Sequence, residues 1–296
     1  MQVSATALEP DRERDGATRV SRVPIGGDRH VAYAEYGDAD GTPLLLFHGT
    51  PGSRLVGALF DGPASRESVR VIALDRPGYG RSSAWPDRRL DDTAAFALPV
   101  LDDAGVDTAT VAGFSGGSPH ALALARTRPE RVDRVAVLSG AVPPSLQEEP
   151  PAVQRFLGVL GTHAGWLLAG AFAATGRLAR VLPPSFVVSQ YTTAEGPALS
   201  EAEEELVREE FVAAIERTRS GAVTEAGLLA DPWEFDVAAV ESPVRLFHGE
   251  LDTNVPLAAA RRLADTIPGA ELHVDDTDHL TTLLRARERV LAACTQ

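Results

Sequence analysis

Short apolar runs alternate with amphipathic helical patterns along most of this chain. The apolar runs lie at Pro43–Phe47, Arg70–Leu74, Thr108–Phe114, Val132–Leu138, Pro243–Phe247 and Ala270–Val274, and Arg29–Tyr36 alternates like a strand. The helical patterns lie at Asp91–Ala104, Ser115–Arg128, Leu257–Thr266 and Leu280–Ala293. Apolar strands that alternate with helices predict an α/β fold, with a mostly parallel central sheet and helices on both of its faces.

The segment from residue 141 to residue 231 interrupts this alternation. It contains several helical patterns but no run that is typical of a strand. Ser200 and Glu203 have the spacing of a capping box and predict the start of one helix. The apolar stripe of that helix comprises Val207, Phe211, Ala214 and Ile215. We therefore predict one core domain, formed by residues 21–140 and 232–296, that carries a helical insertion over residues 141–231.

Composition excludes several classes of protein. The net charge is −14, so nucleic acid and anionic membrane surfaces are not expected as partners. All 28 basic residues are arginine, which excludes a Schiff-base lysine and the lysine of a phosphate-binding loop. Cys294 is the single cysteine, so an internal disulfide and a clustered-cysteine metal site are excluded. No cofactor or metal is expected.

Residues 1–20 have mixed charges and no apolar periodicity. This composition predicts a flexible N-terminal tail. The tail has no apolar core of the length found in a signal peptide, so we expect a cytoplasmic protein.

The segment Gly113–Gly117 has the pattern G-x-S-x-G between an apolar strand and an apolar helix. A turn this sharp places its serine in a strained conformation and needs small neighbours, which Gly113 and Gly117 supply. The serine hydroxyl then stands above the sheet at the start of a helix, whose partial positive charge stabilises an anion. Ser115 is the predicted nucleophile.

A serine hydroxyl needs a base, and the base needs an acid that orients it. His279 lies in the loop between the last predicted strand and the last helix, at the sheet edge where open α/β folds bind ligands. Asp252 lies in the loop after the strand Pro243–Phe247 at the same edge. We predict His279 as the base and Asp252 as the acid, with Glu250 as the nearest alternative acid.

The segment His48–Gly52 reads HGTPG and follows directly after a strand. Its position predicts that the backbone N–H of Thr50 points at the same spot as the N–H of Gly116. Two such donors would form an oxyanion hole beside Ser115.

Five motifs now occur in one order: HGTPG, DRPGYGRS at 75–82, GFSGGSPHALALA at 113–125, LFHGELDTNVP at 246–256 and DTDHL at 276–280. In order and spacing the chain resembles the α/β-hydrolase superfamily of serine hydrolases from about residue 22 to its end. That superfamily includes esterases, proline iminopeptidases, haloperoxidase-like perhydrolases and carbon–carbon bond hydrolases. Epoxide hydrolases and haloalkane dehalogenases carry an aspartate in place of Ser115, which argues against both. Relatives usually have Gly-His where this chain has Asp278 and His279; the extra carboxylate either raises the pKa of the base or faces solvent.

The resemblance implies that the insertion is a cap over the nucleophile. Its large apolar side chains are Phe156, Leu157, Leu160, Trp166, Leu167, Leu168, Phe172, Phe186 and Tyr191. We expect Trp166, Phe172 and Phe114 to line an apolar substrate pocket. The acidic run Glu201–Glu210 has the spacing of a solvated helix face. Alternatively, its carboxylates bind the amino terminus of a peptide substrate, and the protein is a peptidase.

The sequence thus predicts a serine hydrolase that cleaves a carboxylic ester or related acyl bond of a mostly apolar small molecule. Alternatives are a carbon–carbon bond hydrolase, perhydrolase, aminopeptidase or biosynthetic cyclase with the same triad, or a ligand-binding protein without turnover. Phe156–Gly176 carries no formal charge and is long enough to span a membrane. A span there would place Ser115 and His279 on opposite sides of a bilayer, so none is expected. A homodimer is compatible with the sequence.

Overall fold

One eight-stranded sheet forms the centre of the protein. The computed structural model describes residue 17 and residues 19–148, 151–193 and 195–296. The strands are β1 (Arg19–Pro24), β2 (His30–Gly37), β3 (Thr42–Phe47), β4 (Val69–Leu74), β5 (Ala109–Phe114), β6 (Val132–Leu138), β7 (Val244–Gly249) and β8 (Glu271–Asp275). Their order is β1-β2-β4-β3-β5-β6-β7-β8. β2 is antiparallel to β1 and β4, and the strands from β4 to β8 in this order are parallel.

Ten α-helices accompany the sheet in the described part of the chain. Those of the core are α1 (Asp61–Arg66), α2 (Thr93–Asp103), α3 (Ser118–Thr127), α9 (Leu257–Thr266) and α10 (His279–Cys294). Those of the insertion are α4 (Ala152–His163), α5 (Gly165–Val181), α6 (Ser185–Val188), α7 (Glu201–Glu216) and α8 (Ser220–Ala230). All five insertion helices lie between β6 and β7, and the described part of the insertion contains no strand.

The core has two layers, one on each face of the sheet. Leu45 and Phe47 of β3 pack on the side of α2, α3 and α9. Leu44 and Leu46 of the same strand pack on the side of α1, α10 and the insertion. All four side chains are fully buried because successive residues of a strand point to opposite faces and both faces are covered. The predicted α/β fold is confirmed.

The sequence-based boundaries differ from the structure mainly at the N-terminus. Residues 19 and 20, predicted as tail, begin β1, which pairs with β2 at the edge of the sheet. Edge strands are half exposed and carry a weak apolar pattern, and β1 has one buried residue, Val23. The rest of the predicted tail, residues 1–16 and 18, lies outside the described residues.

The helix predicted from Ser200 and Glu203 is α7. Ser200 accepts a hydrogen bond from the Glu203 N–H, and the Glu203 carboxylate accepts from Ser200, so the capping box is confirmed. The predicted stripe of Val207, Phe211, Ala214 and Ile215 is buried.

The uncharged run Phe156–Gly176 is divided between α4 and α5, which meet at Ala164. Within the described residues, no helix has both the length and the apolar character needed to cross a membrane.

Candidate active site

Four strands end at one edge of the sheet and position the predicted site residues. Ser115 follows β5, Asp252 follows β7 and His279 follows β8. Thr50 lies three residues after the end of β3. These strands are parallel, so the loops after them converge at their common carboxyl edge.

Ser115 occupies the strained turn expected between β5 and α3. Its φ is +50°, a left-handed conformation that costs a non-glycine residue about 1–2 kcal/mol. A Cβ on Gly113 would lie 2.5 Å from the Ser118 Cα, and one on Gly117 would lie 2.4 Å from the Phe47 carbonyl oxygen. Both glycines are therefore required by close backbone packing, which is the reason the sequence pattern needs them.

Ser115, His279 and Asp252 form a continuous chain of hydrogen bonds. His279 Nε2 lies 2.9 Å from Ser115 Oγ, and His279 Nδ1 lies 2.8 Å from Asp252 Oδ2. Burial raises the pKa of the Asp252 carboxyl. The charge on His279 and its hydrogen bond to Asp252 together lower this pKa by more than burial raises it, so the net pKa lies below the ordinary value. Asp252 is therefore an ionised hydrogen-bond acceptor at neutral pH.

The Asp252 carboxylate is held on its other side by the backbone. Its Oδ1 accepts hydrogen bonds from the N–H groups of Asn254 and Val255 at 2.8 and 2.9 Å. Glu250 is exposed to solvent, and its backbone N–H donates to the Asp275 carbonyl. The structure thus brings Asp252, and not Glu250, to the imidazole.

Asp278 is a helix cap and does not face solvent. It is fully buried. Its Oδ1 accepts from the Thr281 N–H at 3.0 Å at the start of α10, and its Oδ2 accepts from the Thr193 N–H at 2.9 Å. Asp278 therefore fixes the start of the helix that carries His279 and connects it to the insertion.

Thr50 and Gly116 lie against each other beside Ser115. A Cβ on Gly116 would lie 2.2 Å from Thr50 Oγ1. Both Thr50 and Ser115 line a cavity beneath the insertion. The predicted oxyanion-hole pair is thus adjacent in space.

The cavity has mostly apolar walls, and its lining differs from the predicted pocket. Phe114 lines it, and the Phe114 ring centroid lies 5.2 Å from that of His279. Trp166 does not line it, and its side chain is 76% exposed on α5. Phe172 lines a separate surface depression with Arg177 and Arg180. Of the aromatic residues of the insertion, Tyr191 lines the cavity.

The acidic run on α7 is not entirely a solvated face. Glu209 is exposed, but Glu210 lines the cavity with Ser115. Glu210 Oε1 accepts a hydrogen bond from the Ser53 N–H at 2.7 Å. Sequence reasoning missed Glu210, although its spacing of three from Val207 on the buried stripe places the two residues on neighbouring parts of one helix face.

Glu225 of α8 is a fully buried carboxylate that sequence reasoning also missed. Its Oε1 accepts from Arg76 Nε and Arg88 Nη2, both at 2.7 Å. Its Oε2 accepts from Arg76 Nη2 at 2.5 Å, Thr50 Oγ1 at 2.6 Å and Tyr79 Oη at 3.0 Å. Burial raises the pKa of Glu225. The two arginines lower this pKa by more than burial raises it, so the net pKa lies well below the ordinary value. A lone acid in the otherwise uncharged helix Ser220–Ala230 was the sequence feature that marks it.

The same arginine holds the HGTPG loop. Arg76 donates to the carbonyl oxygens of His48 and Gly49 and to Thr50 Oγ1. His48 Nε2 accepts from the Arg76 backbone N–H at 3.2 Å. Burial, together with Arg76, lowers the pKa of His48 well below its ordinary value, so this imidazole is neutral. Glu225 therefore connects the insertion to the loop that carries Thr50.

Among the described residues, no group of three or more His, Cys, Asp or Glu side chains is placed to hold a metal ion. His248 and His30 hydrogen-bond to the carbonyl oxygens of Val255 and Arg81 at 2.9 and 2.8 Å.

Comparison with known proteins assigns this sequence to a family. The sequence profile of the alpha/beta hydrolase fold matches residues 42–286. The chain therefore belongs to the alpha/beta hydrolase fold family, and the expected resemblance is confirmed.

Individual relatives differ in how much of their length the chain covers. The chain is 30% identical to the 2-hydroxymuconate semialdehyde hydrolase of Pseudomonas putida over 79% of both proteins. It is 38% identical to the dihydrolipoyllysine-residue acetyltransferase component of the acetoin cleaving system of Pseudomonas putida, over 40% of this chain and 32% of that protein. The crystal structure of the enol-lactonase from Burkholderia xenovorans LB400 matches with a TM-score of 0.69 and 21% identity, over 92% of this chain and 98% of the enol-lactonase chain. At that identity the structural match shows the fold alone.

Replacement of Glu225 tests the buried connection between the insertion and the core. Glu225→Gln leaves Arg76 and Arg88 buried without their counter-charge, which destabilises a protein by about 3–5 kcal/mol. At about 2–4 °C per kcal/mol for a chain of this size, we expect the melting temperature to fall by about 6 °C or more. Differential scanning calorimetry measures this change.

The control is Glu216→Gln, which removes an ion pair of Glu216 with Arg180 that is about half exposed. An exposed pair contributes about 0–1 kcal/mol, so the melting temperature of this variant stays close to that of the wild type. Equal melting temperatures for the two variants would contradict a stabilising role of the Glu225 cluster.

Proposed function

We propose that this protein is a serine hydrolase that cleaves a carboxylic ester, or a related acyl bond, of a mostly apolar small molecule. The observation that supports this activity most strongly is the hydrogen-bonded chain from Ser115 through His279 to Asp252. Ser115 lines a cavity with a mostly apolar wall. The apolar side chains of that wall are Val56, Leu59, Val207, Leu280 and Leu283.

In the first half of the reaction, Ser115 Oγ attacks the carbonyl carbon of the ester. His279 Nε2, at 2.9 Å, accepts the hydroxyl proton as the new C–O bond forms. Asp252 holds Nδ1 protonated and stabilises the imidazolium. When the tetrahedral intermediate collapses, the bond to the alkoxy group breaks, and His279 gives its proton to the departing alcohol. The product is an acyl-enzyme on Ser115.

In the second half, water takes the place of the alcohol. His279 Nε2 accepts a proton from the water as its oxygen attacks the acyl carbon. The second tetrahedral intermediate then releases the carboxylic acid, and the proton returns from His279 to Ser115 Oγ. The net reaction converts the ester and one water into a carboxylic acid and an alcohol, and every proton in these steps is carried by His279.

The negative charge on the carbonyl oxygen needs hydrogen-bond donors in both tetrahedral intermediates. We assign this role to the backbone N–H groups of Thr50 and Gly116, whose residues lie against each other. Glu225 and Arg76 bind the Thr50 side chain and hold its loop in place. The helical insertion acts as the cap that covers the acyl group, with Phe114 and Tyr191 beside the imidazole.

A carbon–carbon bond hydrolase is the second candidate. It is favoured by the identity of 30% to the 2-hydroxymuconate semialdehyde hydrolase over 79% of both chains. In that reaction the bond broken at the carbonyl carbon is a C–C bond, and the same three side chains move the protons.

Two assays distinguish these activities. The first measures kcat/KM for p-nitrophenyl esters of increasing acyl length, and the second follows the consumption of 2-hydroxymuconate semialdehyde. Ester hydrolysis that improves with acyl length up to the limit of the cavity supports the first proposal. Turnover of the semialdehyde with slow ester hydrolysis would replace it by the second.

Ser115→Ala tests the nucleophile. Without the hydroxyl no acyl-enzyme forms, and we expect kcat to fall by about 10⁶-fold, as for the loss of a nucleophile that works with a base and an acid. Steady-state kinetics with the best ester give this value, and circular dichroism shows that the variant is folded. Wild-type turnover by a folded Ser115→Ala protein would exclude the mechanism.

Asp252→Asn tests the acid. The amide can donate to His279 Nδ1 and so fix the imidazole in the tautomer that cannot accept the serine proton, which lowers kcat by about 10⁴-fold. Glu250→Gln is the matched control, because Glu250 lies two residues before Asp252 and is exposed. We expect this variant to retain wild-type kcat. A large loss in Glu250→Gln with little change in Asp252→Asn would mean that the acid has been assigned to the wrong residue.

A further inference from the structure

An acidic side chain lines the cavity beside Ser115. Among the described residues that line it, Glu210 carries the single carboxylate, and none is an arginine. Glu210 takes no part in the proton transfers proposed for Ser115, His279 and Asp252. An ionised carboxylate in a mostly apolar wall bears directly on which substrates the cavity accepts, because apolar surroundings screen charge poorly.

Glu210 is fixed in place by the core. Its Oε1 accepts from the Ser53 N–H at 2.7 Å, and its backbone carbonyl accepts from Ser53 Oγ at 3.0 Å. A Cβ on Gly52 would lie 2.5 Å from Oε1, so the glycine makes room for the carboxylate. Within the described part of the chain, Oε2 has no hydrogen-bond donor. One oxygen is thus anchored, and the other remains available to a ligand.

No arginine neutralises Glu210 through an ion pair in the described part of the chain. The arginines below it are engaged elsewhere: Arg54 pairs with Asp75 at 3.0 Å, and Arg76 pairs with Glu225. Burial raises the pKa of Glu210 to about 8; the Ser53 N–H and Arg76 act in the lowering direction, and Asp75 acts in the raising direction. Tyr191, which follows α6, lines the same cavity as Glu210. Burial and the nearby Glu210 raise the pKa of the Tyr191 hydroxyl, so this hydroxyl stays neutral.

We propose that Glu210, in its ionised form, determines the charge specificity of the acyl pocket: it excludes acyl groups that carry a carboxylate and admits neutral and amine-bearing ones. A second carboxylate in the cavity would either repel Glu210 or force one of the two to take up a proton. An ammonium group can instead donate a charge-assisted hydrogen bond to Oε2. This inference rests on the proposed function, because it assigns the cavity to the acyl group.

Three p-nitrophenyl esters with six-carbon acyl groups test the inference. They are the neutral hexanoate, the anionic hydrogen adipate and the cationic 6-aminohexanoate. The two ratios of interest are kcat/KM for adipate over hexanoate and for aminohexanoate over hexanoate. Each ratio cancels the pH dependence of the catalytic steps, since all three esters share them.

The variant is Glu210→Gln, which keeps the oxygen that accepts from Ser53 and removes the charge. At pH 9 we expect the adipate ratio to rise by about tenfold in this variant and the aminohexanoate ratio to fall by about tenfold. Hexanoate is the reference substrate in each protein, so a change in rate common to all three esters leaves both ratios unaffected. The control is Glu209→Gln on the exposed side of the same helix, and both of its ratios equal those of the wild type.

The wild-type protein alone gives an independent result. Glu210 is neutral below its pKa of about 8 and ionised above it, so the adipate ratio should fall as the pH rises from 6.5 to 9. In Glu210→Gln the ratio stays flat over this range.

Three outcomes contradict the inference in distinguishable ways. Unchanged ratios in a Glu210→Gln protein that still hydrolyses hexanoate would overturn the role of Glu210 and leave the proposed function standing. A wild-type adipate ratio that is flat between pH 6.5 and 9 and equal to the ratio of Glu210→Gln at every pH would overturn that role as well. Absence of hydrolysis of all three esters by the wild-type protein would overturn the proposed function and this inference together.

Discussion

The site depends on one strained backbone position, the left-handed Ser115 at the end of β5. This conformation lets the chain reverse from a central strand into α3 within a few residues and leaves the serine side chain above the sheet edge. The surrounding packing tolerates no side chain at Gly113 or Gly117, which lie against the start of α3 and the end of β3. The parallel strands then bring His279 and Asp252 to the same edge. The geometry of the hydrogen-bonded chain follows from the sheet and this turn.

Two glutamates of the insertion contact the HGTPG loop or the residue that follows it. Glu225 enters a fully buried cluster with Arg76 and Arg88 and binds the Thr50 hydroxyl. Glu210 binds the backbone just after the loop, at Ser53. Both contacts connect the insertion to the segment that lies beside Ser115. Changes in the position of α7 or α8 would therefore act on the shape of the cavity and on the Thr50 N–H.

The fold and the three hydrogen-bonded residues could be predicted from the sequence because their causes are local. An apolar strand next to G-x-S-x-G specifies the turn, and loops after parallel strands must share an edge. Glu210, Glu225 and the exposure of Trp166 could not be predicted, because they depend on how the insertion helices rotate over the core. An acidic run such as Glu201–Glu210 has the same composition whether its last carboxylate faces water or a cavity. The buried partners Arg76 and Arg88 are far from Glu225 in sequence, so no spacing connects them.

In the proposed mechanism Ser115 is an activated nucleophile, on which every later step depends. The most direct measurement is covalent labelling with a fluorophosphonate, followed by mass spectrometry of the intact protein and of its peptides. We expect one equivalent of label on Ser115, with labelling strongly slowed in His279→Ala, because only a serine paired with a base reacts quickly. Absence of labelling in the wild-type protein, or attachment at another residue, would exclude Ser115 as the nucleophile.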